Sequence, residues 1–390
     1  MMNNKNTKQH SGMRIGRRLS ALLLAALFLF TSCGGSEGGN PGGSAQANKD
    51  KLSVIVTIFP LYDWTKNILG EETEAELTFL LGSGVDLHSF QPTASDVMKI
   101  SSCDVFIYVG GESDEWVKSA LAESSNPELV ALNLLELLGE DRAREEELLE
   151  GMQETEHDHD HEDHDDDDHD HDDDHDHDDH DHDDGDHEDH DHEDHDHEDH
   201  DHDHDEDHDH ETEYDEHIWL SLQNAMYLVP QIADTLAAKD PANAEQYRKN
   251  AEDYTAQLSA LDAEYRAAVA SGTRDMLLFC DRFPFRYLAE DYGLTCYAAF
   301  SGCAAETEAS FETITFLAEK VKEFSLPHVL TIEGSDAKIA DTVLESAGAK
   351  ESTILSLDSM QSTTTQDAAN GTTYLSVMEQ NLSVIKEALK

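Results

Sequence analysis

Apolar positions along this chain keep two alternating rhythms. "KLSVIVTIFP" gives a β-rich run at Leu52–Phe59, and Pro60 then opens an amphipathic helical stretch carrying Tyr62, Trp64 and Ile68. "AELTFLLG" (Ala75–Gly82) and "DVFIYVGG" (Asp104–Gly111) read as further strands, with a helical stretch between them. "IWLSLQNAMYLVPQIADTLAAKD" has helical spacing, with an interruption expected at Pro230 and an end near Asp240-Pro241. From Pro241 to Ala270, Tyr247, Tyr254, Leu258, Leu261 and Tyr265 recur at helical spacing with no breaker. That predicts one continuous helix of roughly 45 Å.

The strand–helix rhythm then restarts. "DMLLFC", "CYAAFSG", "HVLTIEG" and "STILSLDS" are the apolar runs, separated by helical stretches and followed by a terminal helix from about Tyr374. Short apolar runs alternating with helices predict parallel sheets. The fold class expected is therefore α/β: two lobes with parallel β-sheets flanked by helices, joined by one long rigid helix that limits hinge opening. The expected organisation is a signal segment (1–33), a tether (34–50), an N-terminal lobe (51–238), a linking helix (239–271) and a C-terminal lobe (272–390). The N-terminal lobe carries an insertion at 140–213 with no apolar pattern at its centre.

That insertion dominates the charge. Residues 157–210 hold 20 of the 24 histidines, 33 acidic residues and the single Gly185, more than half of the formal net charge of −61. A segment with no apolar side chain cannot offset the entropy of ordering, so it is expected to be disordered. So acidic a chain has no attraction for nucleic acid, and cations are its natural partners.

The N-terminus reads as an export signal. "KQHSGMRIGRR" is basic, "LSALLLAALFLF" is apolar but short for a membrane span, and "FTSC" ends at Cys33 in the manner of a bacterial lipobox. Lipid on Cys33 would tether the body to the outer face of the cell membrane through the Gly/Ser-rich "GGSEGGNPGGSAQAN". Cys103, Cys280, Cys296 and Cys303 remain, and four cysteines of an exported chain allow three disulfide pairings. No C-x-x-C motif occurs.

Candidate chemistry collects at loop and strand-end positions, where open α/β sheets bind ligands. His88 stands in the Gly-rich "GSGVDLHSFQPTASD", and His217 in "DEHIWLS" directly after the tract. "LLFCDRFPF" ends a strand with Cys280, Asp281 and Arg282, and "LSLDS" ends another with Asp358. Imidazole with carboxylate suits zinc, and manganese where oxygen predominates. His328 in "LPHVL" reads as a structural residue without a partner. No H-E-x-x-H motif is present, and no general base is paired with an open metal position, so a metallohydrolase is disfavoured and no enzyme is expected.

"VTIFPLYDWTKNILG", "GVDLHSFQPTASDV", "CDVFIYVGGESDEWV", "DEHIWLS", "RYLAEDYGL" and "YLSVMEQNLSVIKEAL", in that order, resemble the zinc- and manganese-binding lipoproteins and periplasmic proteins of ABC importers, the ZnuA/AdcA type. The resemblance implies two α/β lobes bridged by a helix, a metal ion between them, and an ABC permease as partner. It also implies an acidic His-rich insertion just before the second ligand, and here the tract ends seven residues before His217. His88 and His217 fall on the first two ligand positions and Asp358 on the fourth. The third falls on Arg282, whose guanidinium has no lone pair to give. Asp281 is then the expected third ligand, with Cys280 on Arg282's strand face and Glu333 as alternatives. Arg282 itself would form an ion pair with Glu306 or Glu333.

The function this implies is a lipid-anchored, extracytoplasmic solute-binding protein, in the periplasm or on the cell surface, that captures Zn²⁺ and passes it to the permease. A manganese-binding member of the same family, or a metal-storage or adhesin lipoprotein, is the alternative. The tract, spanning about 40 Å root-mean-square as a flexible chain, would collect metal at many weak sites and hold it at high local concentration beside His217.

Overall fold

The computed structural model describes residues 51–153, 213–304 and 308–390. The expected signal segment, Cys33, the tether, Glu306 and the 157–210 tract lie outside the described residues. In the N-terminal lobe the order is β1 (Ser53–Val56), α1 (Phe59–Leu69), β2 (Glu76–Phe79), α2 (Ala94–Ser102), β3 (Val105–Tyr108), α3 (Trp116–Ala122), β4 (Val130–Asn133) and α4 (Leu134–Leu138). Two long helices follow, α5 (Leu222–Lys239) and α6 (Ala244–Ser271). The C-terminal lobe runs β5 (Met276–Phe283), α7 (Arg286–Tyr292), β6 (Thr295–Ser301), α8 (Phe311–Glu323), β7 (His328–Ile332), α9 (Lys338–Ala347), β8 (Thr353–Leu357), α10 (Thr365–Ala369) and α11 (Tyr374–Ala388).

The two sheets have the same wiring, β2-β1-β3-β4 and β6-β5-β7-β8, and every pairing is parallel. Both faces of each sheet are covered, as all-parallel sheets require. Val54 and Val56 join one core while Ile55 between them joins another with Ile100, Phe106 and Val117. In the second sheet Leu277 and Phe279 face the shared core, whereas Leu278 and Cys280 pack with Leu317, Val321 and Val343 from α8 and α9. The alternation follows from the two-residue period of a strand.

The shared core makes the two lobes one body. Tyr247, Ala251, Tyr254, Leu258, Leu261, Tyr265 and Ala268 form an unbroken buried stripe along α6. These residues recur at alternating intervals of four and three, the spacing that keeps one helix face inward. At 28 residues α6 is about 42 Å long. Asp63 on α1 accepts from Tyr254 Oη of α6 at 3.1 Å and from the Tyr374 backbone N–H of α11 at 3.2 Å. Tyr265 Oη donates to the Met378 carbonyl at 2.6 Å.

Three expectations need correction. Pro230 does not interrupt α5, which runs through it; Pro230 is exposed, and the buried face of α5 offsets what the missing N–H and the ring cost the helix. β4 is a fourth N-terminal strand that the short, half-buried "VALN" did not announce. The register of β5 against β6 shifts between Phe279 and Arg282, where three steps on β5 meet two on β6. This bulge breaks the face alternation on which Cys280 and Arg282 were paired. Cys280 is buried with Ala299 and Phe300 in the outer core, while Arg282 reaches the other lobe.

Candidate metal centre

The centre forms at the carboxyl ends of the strands, where the lobes face each other. His88 sits in a one-turn 3₁₀ segment, Leu87–Ser89, beyond β2. Asp86 caps that turn, its Oδ1 accepting from the His88 N–H at 3.1 Å. His217 precedes a second such segment, Ile218–Leu220, that leads into α5, and it is completely buried.

The two imidazoles meet. His88 Nε2 and His217 Nε2 are 3.3 Å apart, although 129 residues separate them in the chain. Each ring is oriented through its other nitrogen: His88 Nδ1 lies 2.7 Å from Ser113 Oγ, and His217 Nδ1 lies 2.9 Å from Asp215 Oδ1. Arg286 stands 3.6 Å from the second Asp215 oxygen. Such outer partners fix the tautomer that leaves Nε2 free to donate.

Electrostatics separate the pair. Burial, with the His217 charge added, pushes the His88 pKa down to about 4. Burial opposes charge on His217 as well, but Asp215 outweighs it and holds that ring above the ordinary histidine value. Glu216, adjoining His217, is pushed up to about 7 by burial. Its Oε1 accepts from the Ser113 N–H at 2.7 Å. Its Oε2 is buried without a hydrogen-bond partner, 3.7 Å from His88 Nδ1.

The third member of the cluster is one the sequence reading passed over. Donor atoms of His88, His217 and Cys303 all lie within 4.8 Å of one another. Cys303 follows β6 directly after Gly302, where a Cβ would stand 2.8 Å from His217 Cε1. Only glycine lets that backbone lie against the ring. The signal available was "SGC" at a strand end, read only as part of the cysteine count. Among the described residues the four cysteines are all free.

Asp281 and Asp358 are not in this group. Asp281 Oδ1 accepts from the Arg282 N–H at 2.9 Å. Asp358 follows β8, its Oδ1 accepting from the Met360 N–H at 2.8 Å, and burial raises its pKa. Glu333, after β7, binds the Ser359 hydroxyl at 2.7 Å and backbone N–H at 2.8 Å. Arg282 pairs with neither Glu333 nor a metal position but with Asp86, at 3.1 Å. His328 does have a partner, Thr353 Oγ1 at 2.8 Å.

A cavity of about 1560 Å³ opens onto the cluster, lined by His88 and Cys303 and by Glu112, Glu140, Glu146 and Glu213 among others. The two stems of the insertion meet at its edge: the Asp215 N–H donates to the Arg144 carbonyl at 2.8 Å, and the Glu146 N–H to the Glu213 carbonyl at 2.9 Å. Tyr287 of α7 holds this ladder, donating to the Asp215 carbonyl and accepting from the Arg144 N–H.

Two α/β lobes on a common helical spine, with paired imidazoles where their strand ends meet, define a two-lobed binding protein. The chain belongs to the family described as zinc-uptake complex component A, periplasmic, whose profile matches residues 54–388. It is 29% identical over 375 residues to the zinc-binding lipoprotein AdcA of Streptococcus pneumoniae, covering 95% of this chain and 61% of that protein. It is 28% identical over 368 residues to the high-affinity zinc uptake system protein ZnuA of Bacillus subtilis, covering 94% and 96%. The crystal structure of the Zn(II)-bound ZnuA-like domain of pneumococcal AdcA superimposes with a TM-score of 0.59 at 26% identity, over 87% of this chain and 99% of that one. The periplasmic zinc-binding protein TroA of Treponema pallidum shares the fold, with a TM-score of 0.60 at 20% identity.

Proposed function

We propose that this protein captures zinc between its lobes and delivers it to an ABC permease, acting as a binding protein and not as an enzyme. It works outside the cytoplasm, anchored to the cell membrane by lipid on Cys33. The observation that carries the reading is the 3.3 Å separation of the two Nε2 atoms. Two imidazoles bound tetrahedrally at zinc–nitrogen distances of about 2.0–2.1 Å place their nitrogens about 3.3–3.4 Å apart. The pair is thus spaced for a single ion. Membership of the zinc-uptake family, and relatives named for zinc binding, support zinc as cargo.

In this reading the His/Asp tract collects metal and releases it at the cavity mouth. Its stems are pinned a few residues from His217, which supports a handover at that point. Neutral histidines and carboxylates one or two residues apart chelate weakly and exchange fast, while the tether keeps them concentrated beside the tight site.

Calorimetric titration with Zn²⁺ and Mn²⁺ tests this, using the soluble body from Asp50 onward, the same body lacking 157–210, and a His88→Ala/His217→Ala form. One tight zinc site that survives loss of the tract and vanishes with the histidines is expected. Only weak, multiple sites that disappear with the tract would make the protein a storage lipoprotein instead.

A further inference from the structure

Two imidazoles leave a zinc ion short of donors, and the side chain beside them is a thiol. We propose that Cys303 is the third donor, so that the ion sits in a two-nitrogen, one-sulfur set selective for zinc over manganese. The inference rests on the zinc-capture reading and names the donor that reading leaves open.

Three observations carry it. The Cys303 sulfur and the two histidine donor atoms form the group in which all atoms lie within 4.8 Å. The Gly302 backbone lies against the His217 ring, which fixes the following residue at the cluster. Cys303 also lines the cavity, whereas Cys103 and Cys280 are buried in the cores of their lobes. The carboxylates expected as donors are engaged elsewhere: Asp281 accepts from the Arg282 N–H, Asp358 from the Met360 N–H, and Glu333 from Ser359.

Binding is an exchange at sulfur: the S–H bond breaks, its proton leaves to water, and the sulfur lone pair forms the bond to the ion. The divalent charge drives that ionisation, because a coordinating thiol is deprotonated outright. A soft thiolate favours zinc and disfavours manganese, which prefers oxygen.

Cobalt(II) is the probe, since a sulfur donor gives it an intense near-ultraviolet charge-transfer band that nitrogen and oxygen donors do not. The full chain receives one equivalent of Co²⁺, and the tract contains no cysteine to contribute a signal. The band is expected with the wild type and lost in Cys303→Ser, whose zinc affinity falls more than about 100-fold, beyond what loss of an outer partner causes. Its preference for zinc over manganese narrows in parallel. As a measurement that needs no variant, one equivalent of zinc is expected to block alkylation of Cys303 in the wild type.

Tight, histidine-dependent cobalt binding without the band, or unprotected Cys303, would overturn the thiolate donor and leave zinc capture standing. Absence of any tight site in the wild type would overturn both.

Discussion

Arg282 Nη2 lies 3.1 Å from Asp86 Oδ2, an ion pair between the bulged end of β5 and the turn that carries His88. Asp86 uses its other oxygen to cap that turn through the His88 N–H. One carboxylate therefore positions a site histidine and clips the second lobe to it. Both side chains are about three-quarters buried, which lifts the pair above the usual worth of a surface salt bridge. A double-mutant cycle over Asp86→Ala and Arg282→Ala is expected to give a coupling of about 1 kcal/mol in zinc binding. A coupling near zero would reduce the pair to a surface contact.

The orientation of the imidazoles has its own test. Asp215→Ala and Ser113→Ala leave both histidines in place but remove the group that fixes each ring. Zinc affinity is expected to fall about 10–100-fold in each, as for other outer partners of metal-bound histidines. Unchanged isotherms would mean that packing alone holds the rings.

Trp219 links the site to the C-terminal lobe. Its ring lies 5.1 Å from that of His217, and its Nε1 donates to the Ser359 carbonyl at 2.9 Å. Trp219→Phe leaves that carbonyl unpaired and opens a small void, which is expected to cost about 2–4 kcal/mol in urea unfolding. Loss below about 0.5 kcal/mol would mean the neighbours close over the gap.

Asp291 gives a pH signature in stability. Burial pushes its carboxyl up to about 6, although Ser221 Oγ donates to it at 2.6 Å. Asp262, Arg266 and Arg144 are the charged groups nearby. The folded chain therefore holds a proton that the unfolded chain releases near the ordinary value of 3.8. The contribution is complete below that value and is lost as pH rises through about 6. Asp291→Asn is expected to flatten the fall in stability between pH 4 and 6.5 by about 1–2 kcal/mol. Equal slopes in wild type and variant, measured by urea unfolding across that range, would rule this out.

The proposed collection of metal by the tract would run the other way with pH. Histidine must be neutral to bind, so capture is expected to fade as pH falls through roughly 6.5. A peptide spanning 157–210 is expected to bind several zinc ions weakly at pH 7.5 and far less at pH 5. Equal affinity at the two values would assign binding to the carboxylates.

Much of this protein was legible in the sequence. Period-two and helical patterns reported burial, and burial on two faces of a strand or one stripe of a helix is a local property. The α/β class, the strands around Val54, Phe106 and Leu278, and the long helix through Tyr254 and Leu261 could all be read that way. His88 and His217 stood out by the segments around them. What the sequence could not supply was distance between remote residues. The bulge in β5 turns on how that strand pairs with β6, and the Arg282–Asp86 pair spans 196 residues. Cys303 joins the histidines only because β6 ends where the lobes meet and Gly302 lets its backbone lie flat on His217. Periodicity fixes which face a residue takes on its own element; which side chains share a point in space is decided by how the sheets and the helical spine pack.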